Sequence, residues 1–219
     1  MSSIELLNWA RGPGLQIALA IFILGMLVRV VEMWLLGRKP DLAVARGNAM
    51  LGGWRTVFTR SVPTSKMMKN APLIIIGGYI FHIGFFVTLL FFIPHIQLFR
   101  STVGLSWPGL PTPIIDVVTV VSIAVLVALL INRMIDPVRR LLSTPSDYVA
   151  WTVTTLPLVT GYLTTHSDMF PYTPMLAAHI LSVELLLVVF PFTKLVHAVT
   201  FVFARWYNGA MSARKGVAT

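Results

Sequence analysis

The chain has 219 residues, of which 56% are hydrophobic and only 11% charged, and a net charge of +9. Roughly a quarter of a soluble domain's residues are charged, so the composition excludes an ordinary soluble domain and points to an integral membrane protein. Cysteine is absent, which excludes disulfides, Cys-ligated zinc and thiolate-held iron–sulfur clusters within this chain.

The N-terminal stretch lacks the basic region and small-residue cleavage site of a signal peptide, so the first apolar segment is expected to stay as a helix. Five spans follow in chain order, at about 15–36, 72–98, 114–131, 148–165 and 174–203. In lipid each must satisfy its own backbone hydrogen bonds, so all five read as helices. Pro94, Pro157 and Pro191 lie inside apolar runs and read as kinks. No repeat or composition break divides the chain, so residues 1–219 read as a single all-α membrane domain, a five-helix bundle.

Charge gives the direction. The segment 38–70 carries Arg38, Lys39, Arg46, Arg55, Arg60, Lys66 and Lys69, and the next connection only Arg100. Arg133, Arg139 and Arg140 follow the third span, no Lys or Arg separates the fourth from the fifth, and Arg205, Arg214 and Lys215 end the chain. This alternation puts the N-terminus outside and the C-terminus in the cytoplasm. It also accounts for most of the net charge, so no nucleic-acid partner is expected. The basic segment 38–70 reads equally as a flexible loop or as a surface that docks a cytoplasmic partner or anionic lipid headgroups.

Ionisable groups inside a membrane are costly, and their default reading is functional. His179 and His197 share the last apolar stretch, eighteen residues apart. On one helix that is five turns, with both rings on one face and roughly 27 Å between them, close to the ~30 Å of the hydrocarbon core. The second span runs antiparallel to the fifth, so His82 falls level with His197 at the inner end and His95 level with His179 at the outer end. Neutral imidazole is a standard axial ligand of haem iron, and two such levels suit two haems. The outer pair has a geometric defect: thirteen residues separate His82 from His95, roughly 220° beyond whole turns. Pro94 is the residue placed to correct it, and His166 is the substitute ligand.

These residues resemble the cytochrome b (gamma) subunit of respiratory nitrate reductase and related quinone-linked membrane b-type cytochromes. The likeness rests on His179 followed by Phe190-Pro191-Phe192-Thr193-Lys194-Leu195-Val196-His197, and on Phe81-His82-Ile83-Gly84. The run Pro137, Arg139, Arg140, Thr144 and Asp147 is a looser match. Where the family carries its second ligand on the second span, ten residues after the first, this chain has Phe92, and the nearest histidine is His95. The resemblance implies two b-type haems, exchange of electrons with the quinone pool, and an iron–sulfur partner subunit on the cytoplasmic face of a prokaryotic inner membrane. It does not identify the terminal substrate, and the chain alone is not expected to act on a soluble one.

Other polar residues fit around this reading. Lys194 and Arg29 are candidate partners for haem propionates, with Glu32 as the competing partner of Arg29. His166, Asp168 and Tyr172 form the polar cluster of the outer connection, suited to quinol binding and proton release. Glu184 lies about 140° off the histidine face and is expected to face another helix, with proton handling as its sharper role. The rival readings are a membrane anchor with one haem or none, and a proton-coupled transporter.

Overall fold

The computed structural model describes residues 2–35, 42–166 and 170–217, and among these every regular element is helical. Helix α1 (Ser3–Trp9) opens with a reciprocal cap: Ser2 Oγ accepts from Glu5 N–H, and the Glu5 carboxylate accepts from Ser2 N–H. A π turn, Ala10–Gly14, carries the chain into α2 (Leu15–Leu35). Pro13 in that turn supplies no N–H, so the helix widens there rather than ending.

The elements that follow are α3 (Ala49–Thr59), α4 (Ser65–Asn70), α5 (Pro72–Phe91), α6 (Ile93–Val103), α7 (Thr112–Ile135), α8 (Pro137–Leu142), α9 (Pro145–Thr165), α10 (Tyr172–Val189) and α11 (His197–Arg214). Each of α5 to α9 has a proline in its first turn, where the missing N–H would have had no helical partner anyway.

Among the described residues four segments are long and apolar enough to cross a membrane: Ser3–Leu35, Pro72–Phe91, Thr112–Ile135 and Tyr172–Phe192. The protein is thus an all-helical, multi-pass membrane protein. Helix α9 is as long as the others but rich in threonine. Thr154, Thr155, Thr160 and Thr164 each donate to the carbonyl four residues back, at 2.7–2.8 Å, which withdraws their hydroxyls from the surroundings.

Contacts along the helices fix their sense. Gly77 lies against Val125 and Leu129, Gly84 against Ser122, and Thr88 bonds Thr119 at 3.2 Å, so α5 and α7 are antiparallel. A side chain at Gly84 would begin 2.1 Å from Ser122 Oγ, so glycine is what permits this approach. Thr160 meets Ser182 at one end of the α9–α10 pair while Asp147 meets Lys194 at the other, so these too are antiparallel. Helix α2 runs parallel to α10, with Gly14 beside Glu184 and Gly25 beside Pro191.

Two stretches expected as single helices are broken. The second apolar run stops at Phe91, and Phe92 is extended, with φ −75° and ψ 125°. Pro94 then sits in the first turn of α6. The break frees carbonyls at the end of α5, and each finds a donor: Thr88 O from His95 Nδ1, Leu90 O from Trp107 Nε1 at 2.6 Å, and Phe91 O from Leu110 N at 2.9 Å. The last apolar run leaves the α-helix at Phe190, passes two short 3₁₀ turns on either side of an extended Thr193, and resumes at His197. Pro191 removes an N–H and crowds the preceding turn, and Arg29 Nε donates to its carbonyl at 2.9 Å. The eighteen-residue, single-helix argument therefore does not hold for His179 and His197. Pro157 behaves differently and stays within a continuous α9.

The basic segment after α2 is described from residue 42 onward. Helix α3 lies flat on α11, where a side chain at Gly52 would begin 2.2 Å from Ala213 Cβ and one at Gly209 2.3 Å from Thr56 Oγ1. Arg46 N–H donates to Arg214 O at 2.8 Å and ties the incoming strand of chain to the same helix. Arg38 and Lys39 lie outside the described residues.

Candidate functional site: two histidine pairs

The four membrane histidines meet in two pairs. His82 on α5 faces His197, the first residue of α11, with ring centres 6.2 Å apart and ring planes crossed at 78°. His95 on α6 faces His179 on α10 at the same 6.2 Å, with planes only 16° apart. The pairs stand at opposite ends of the bundle. The extended Phe92 re-aims His95, so the rotation that separated it from the His82 face on a straight helix is absorbed by the break.

Each ring is held by Nδ1. His82 Nδ1–H donates to Gly78 O at 2.6 Å and His197 Nδ1–H to Lys194 O at 2.7 Å. His95 Nδ1–H donates to Thr88 O at 3.1 Å. A carbonyl only accepts, so these bonds put the proton on Nδ1 and leave the Nε2 lone pair free. His179 Nδ1 is held instead by a side chain, the Thr160 hydroxyl at 3.2 Å, which also lies 2.7 Å from Leu156 O. Gly161 flanks this ring; a Cβ there would stand 3.1 Å from His179 Cε1.

The arrangement suits a metal held between two imidazoles. A metal-binding imidazole nitrogen sits at about 2 Å from its ion, so two rings on opposite sides of one ion have centres roughly 6 Å apart. A carbonyl that accepts from Nδ1–H commonly fixes the orientation of such an imidazole. Among the described residues no group of three or more His, Cys, Asp or Glu side chains is placed to hold a metal ion. Helices α5 and α10 do not pack as close neighbours: α5 lies along α7, and α10 along α9 and α2. His82 and His197 are exposed on the bundle, while His95 and His179 are half-buried.

The neighbouring charges have protein partners. Lys194 Nζ bonds both oxygens of Asp147 at 2.8 Å, and Arg133 stands 3.4 Å from the same carboxylate. Asp147 lies in the first turn of α9, ahead of its apolar part. The Lys194 ammonium is the chief cause that holds its carboxyl down at about 2. Arg29 pairs with Glu32 at 2.9 Å as well as capping Pro191. Glu184 faces another helix as expected: it is 6% exposed, and a Cβ on Gly14 would lie 2.9 Å from both its oxygens. Its Oε1 has no hydrogen-bond partner.

At the His179 end, His166 stacks on Tyr162 with centres 4.1 Å apart and donates from Nδ1 to Tyr162 O at 2.9 Å. Its Nε2 lies 3.8 Å from Asp116 Oδ2. It does not join the His95–His179 pair. Tyr172 is exposed at the start of α10, and Asp168 falls outside the described residues. Sequence reasoning missed Asp116, Thr160 and Gly161. Threonines and glycines are too common in membrane helices to stand out, and Asp116 is far from His166 in the chain.

Taken together, fold and site define a class: a multi-pass helical membrane protein with paired, pre-oriented histidines near both ends of its bundle. The chain belongs to one family with a protein of Nitratidesulfovibrio vulgaris, to which it is 33% identical over 218 residues, covering 95% of this chain and 94% of that one. That relative bears only the name "Protein", which states no activity. No family model and no solved structure matches the chain.

Proposed function

We propose that this protein is a membrane cytochrome b that carries two b-type haems and links the quinone pool to an iron–sulfur subunit on the cytoplasmic face of a prokaryotic inner membrane. The observation that carries the proposal is the double pair: four histidines, two levels, equal ring separations, and Nδ1 held in every case. The resemblance of the His179–His197 segment to the gamma subunit of nitrate reductase points the same way.

A five-span topology underlies this reading. Helix α9 counts as a crossing because its hydroxyls are bonded internally and because it runs the length of α10 in the opposite sense. With α2 and α10 parallel, α5, α7 and α9 supply the three crossings between them. The positive-inside rule then sets the Lys194 end in the cytoplasm and the His179 end outside.

His82 and His197 would hold the inner haem, and His95 and His179 the outer one. Bound there, haem supplies one-electron chemistry that no side chain here provides. The chain orients the imidazoles, holds each by Nδ1 and separates the two levels. Arg29 and Lys194 stand near the inner level, where a propionate would share them with Glu32 and Asp147. His166, Asp116 and Tyr172 at the outer end are placed to take protons from a quinol, and Asp168 is assigned there from sequence.

The test is rapid mixing of the purified protein with a water-soluble quinol, followed at the haem α-band. Reduction by the quinol is expected, slowed at least tenfold in His166→Ala. If dithionite reduces the haems and quinol does not, the quinone link is wrong.

A further inference from the structure

The α3–α11 platform holds a feature that electron transfer does not use. A cavity of about 580 Å³ opens between the two helices, and Arg60, Arg205 and Lys215 line it together with Thr56, Asn208 and Ser212. No acidic side chain lines it. Arg205 is fixed in place: it donates to Ser61 Oγ at 2.8 Å and lies over the Phe201 ring, 5.3 Å from its centre. Arg60 and Lys215 are exposed, and no ion pair engages either among the described residues.

Ser61, which follows Arg60 and accepts from Arg205, marks the depth of this end of the cavity. Its carbonyl accepts from the Tyr79 hydroxyl, and Tyr79 lies two turns into the apolar helix α5. The three cations thus stand where an apolar span meets water, the level of phospholipid phosphates. Trp54, Phe58 and Met67 are exposed on the adjoining helices, and aromatic rings of this kind favour the headgroup region. The close glycine contacts of α3 with α11 keep the cavity's two walls together.

We infer that this cavity is a binding site for the phosphate of an anionic phospholipid, with Arg60, Arg205 and Lys215 as its cationic ligands and Asn208 and Ser212 as hydrogen-bond donors. Guanidinium groups match phosphate oxygens in paired hydrogen bonds, and the exposed apolar residues beside the cavity accommodate the acyl chains. The site stands independently of the haems and would anchor α3 and α11 to the inner leaflet.

The test is native mass spectrometry of the full chain in detergent with equal amounts of phosphatidylglycerol and phosphatidylcholine. The wild type is expected to retain phosphatidylglycerol preferentially. A juxtamembrane basic residue contributes about fivefold to such binding, so Arg60→Gln with Lys215→Gln should weaken retention roughly 25-fold. Arg60→Lys should keep most of it, and circular dichroism of both variants should match the wild type. Equal retention of the two lipids, or undiminished preference in the double variant, would overturn the assignment. Displacement of the lipid by inorganic phosphate alone would overturn it in favour of a soluble anion site. If the double variant keeps its lipid but loses a co-purifying protein, the cations serve a protein partner and the inference is wrong.

Discussion

At the scale of the residue, the tautomer is the decisive detail. Gly78 O, Thr88 O and Lys194 O each take an Nδ1 proton, and the Thr160 hydroxyl holds Nδ1 of His179. The Nε2 atoms of His82, His95 and His197 are thereby left as acceptors. His82→Ala should therefore remove one of two haems and leave the other, a fall to about half in pyridine-haemochrome content. The crossed planes of His82 and His197 differ from the near-parallel planes of His95 and His179. Were each pair to hold a haem iron as proposed, the crossed rings would give the oxidised inner site a highly anisotropic low-spin electron paramagnetic resonance signal and the near-parallel rings would give the outer site an ordinary rhombic one. Two identical signals would contradict this geometry. The histidines themselves were legible in the sequence because imidazole is rare in apolar runs. Their supports were not: Thr160 and Gly161 look like any other small residues of a membrane helix.

At the scale of the element, proline breaks position the histidines. The pitch of a straight helix turns His95 away from His82, and the extended Phe92 removes that conflict. The sequence marks a disturbance at Pro94, but the new direction depends on Trp107 and Leu110, which reach back to carbonyls freed at the end of α5. Periodicity cannot reveal such a long-range repair. Pro191 shows the reverse error, since a helix assumed continuous there is interrupted for several residues. The segment 38–70 reads from sequence equally as a flexible loop or a docking surface, yet its Gly52 and Gly53 pack closely on α11, against Ala213 and Trp206. Gly209→Leu should pry these helices apart, at a cost of about 1–3 kcal/mol for overpacking, and speed tryptic cleavage at Arg55 and Arg60. Gly161→Val should press on His179 and perturb the outer redox component while sparing the inner one, read by potentiometric titration of the α-band.

At the scale of the whole molecule, membrane residence is written in the composition, and four apolar helices carry it. The proposed fifth crossing, α9, is the element composition understates, because its threonines bond their own backbone. The chain has no cysteine, so a single introduced thiol reports its own side of the membrane. Ser106→Cys should react with an impermeant maleimide in intact cells, and Ser65→Cys only after permeabilisation. Labelling of both from one side would break the topology. The central claim, two haems held by two histidine pairs, is tested most directly by the reduced-minus-oxidised spectrum of the purified protein with haem counted against chain. The account predicts a b-type α-band and two haems per chain. A protein that folds and purifies with no such band would contradict it.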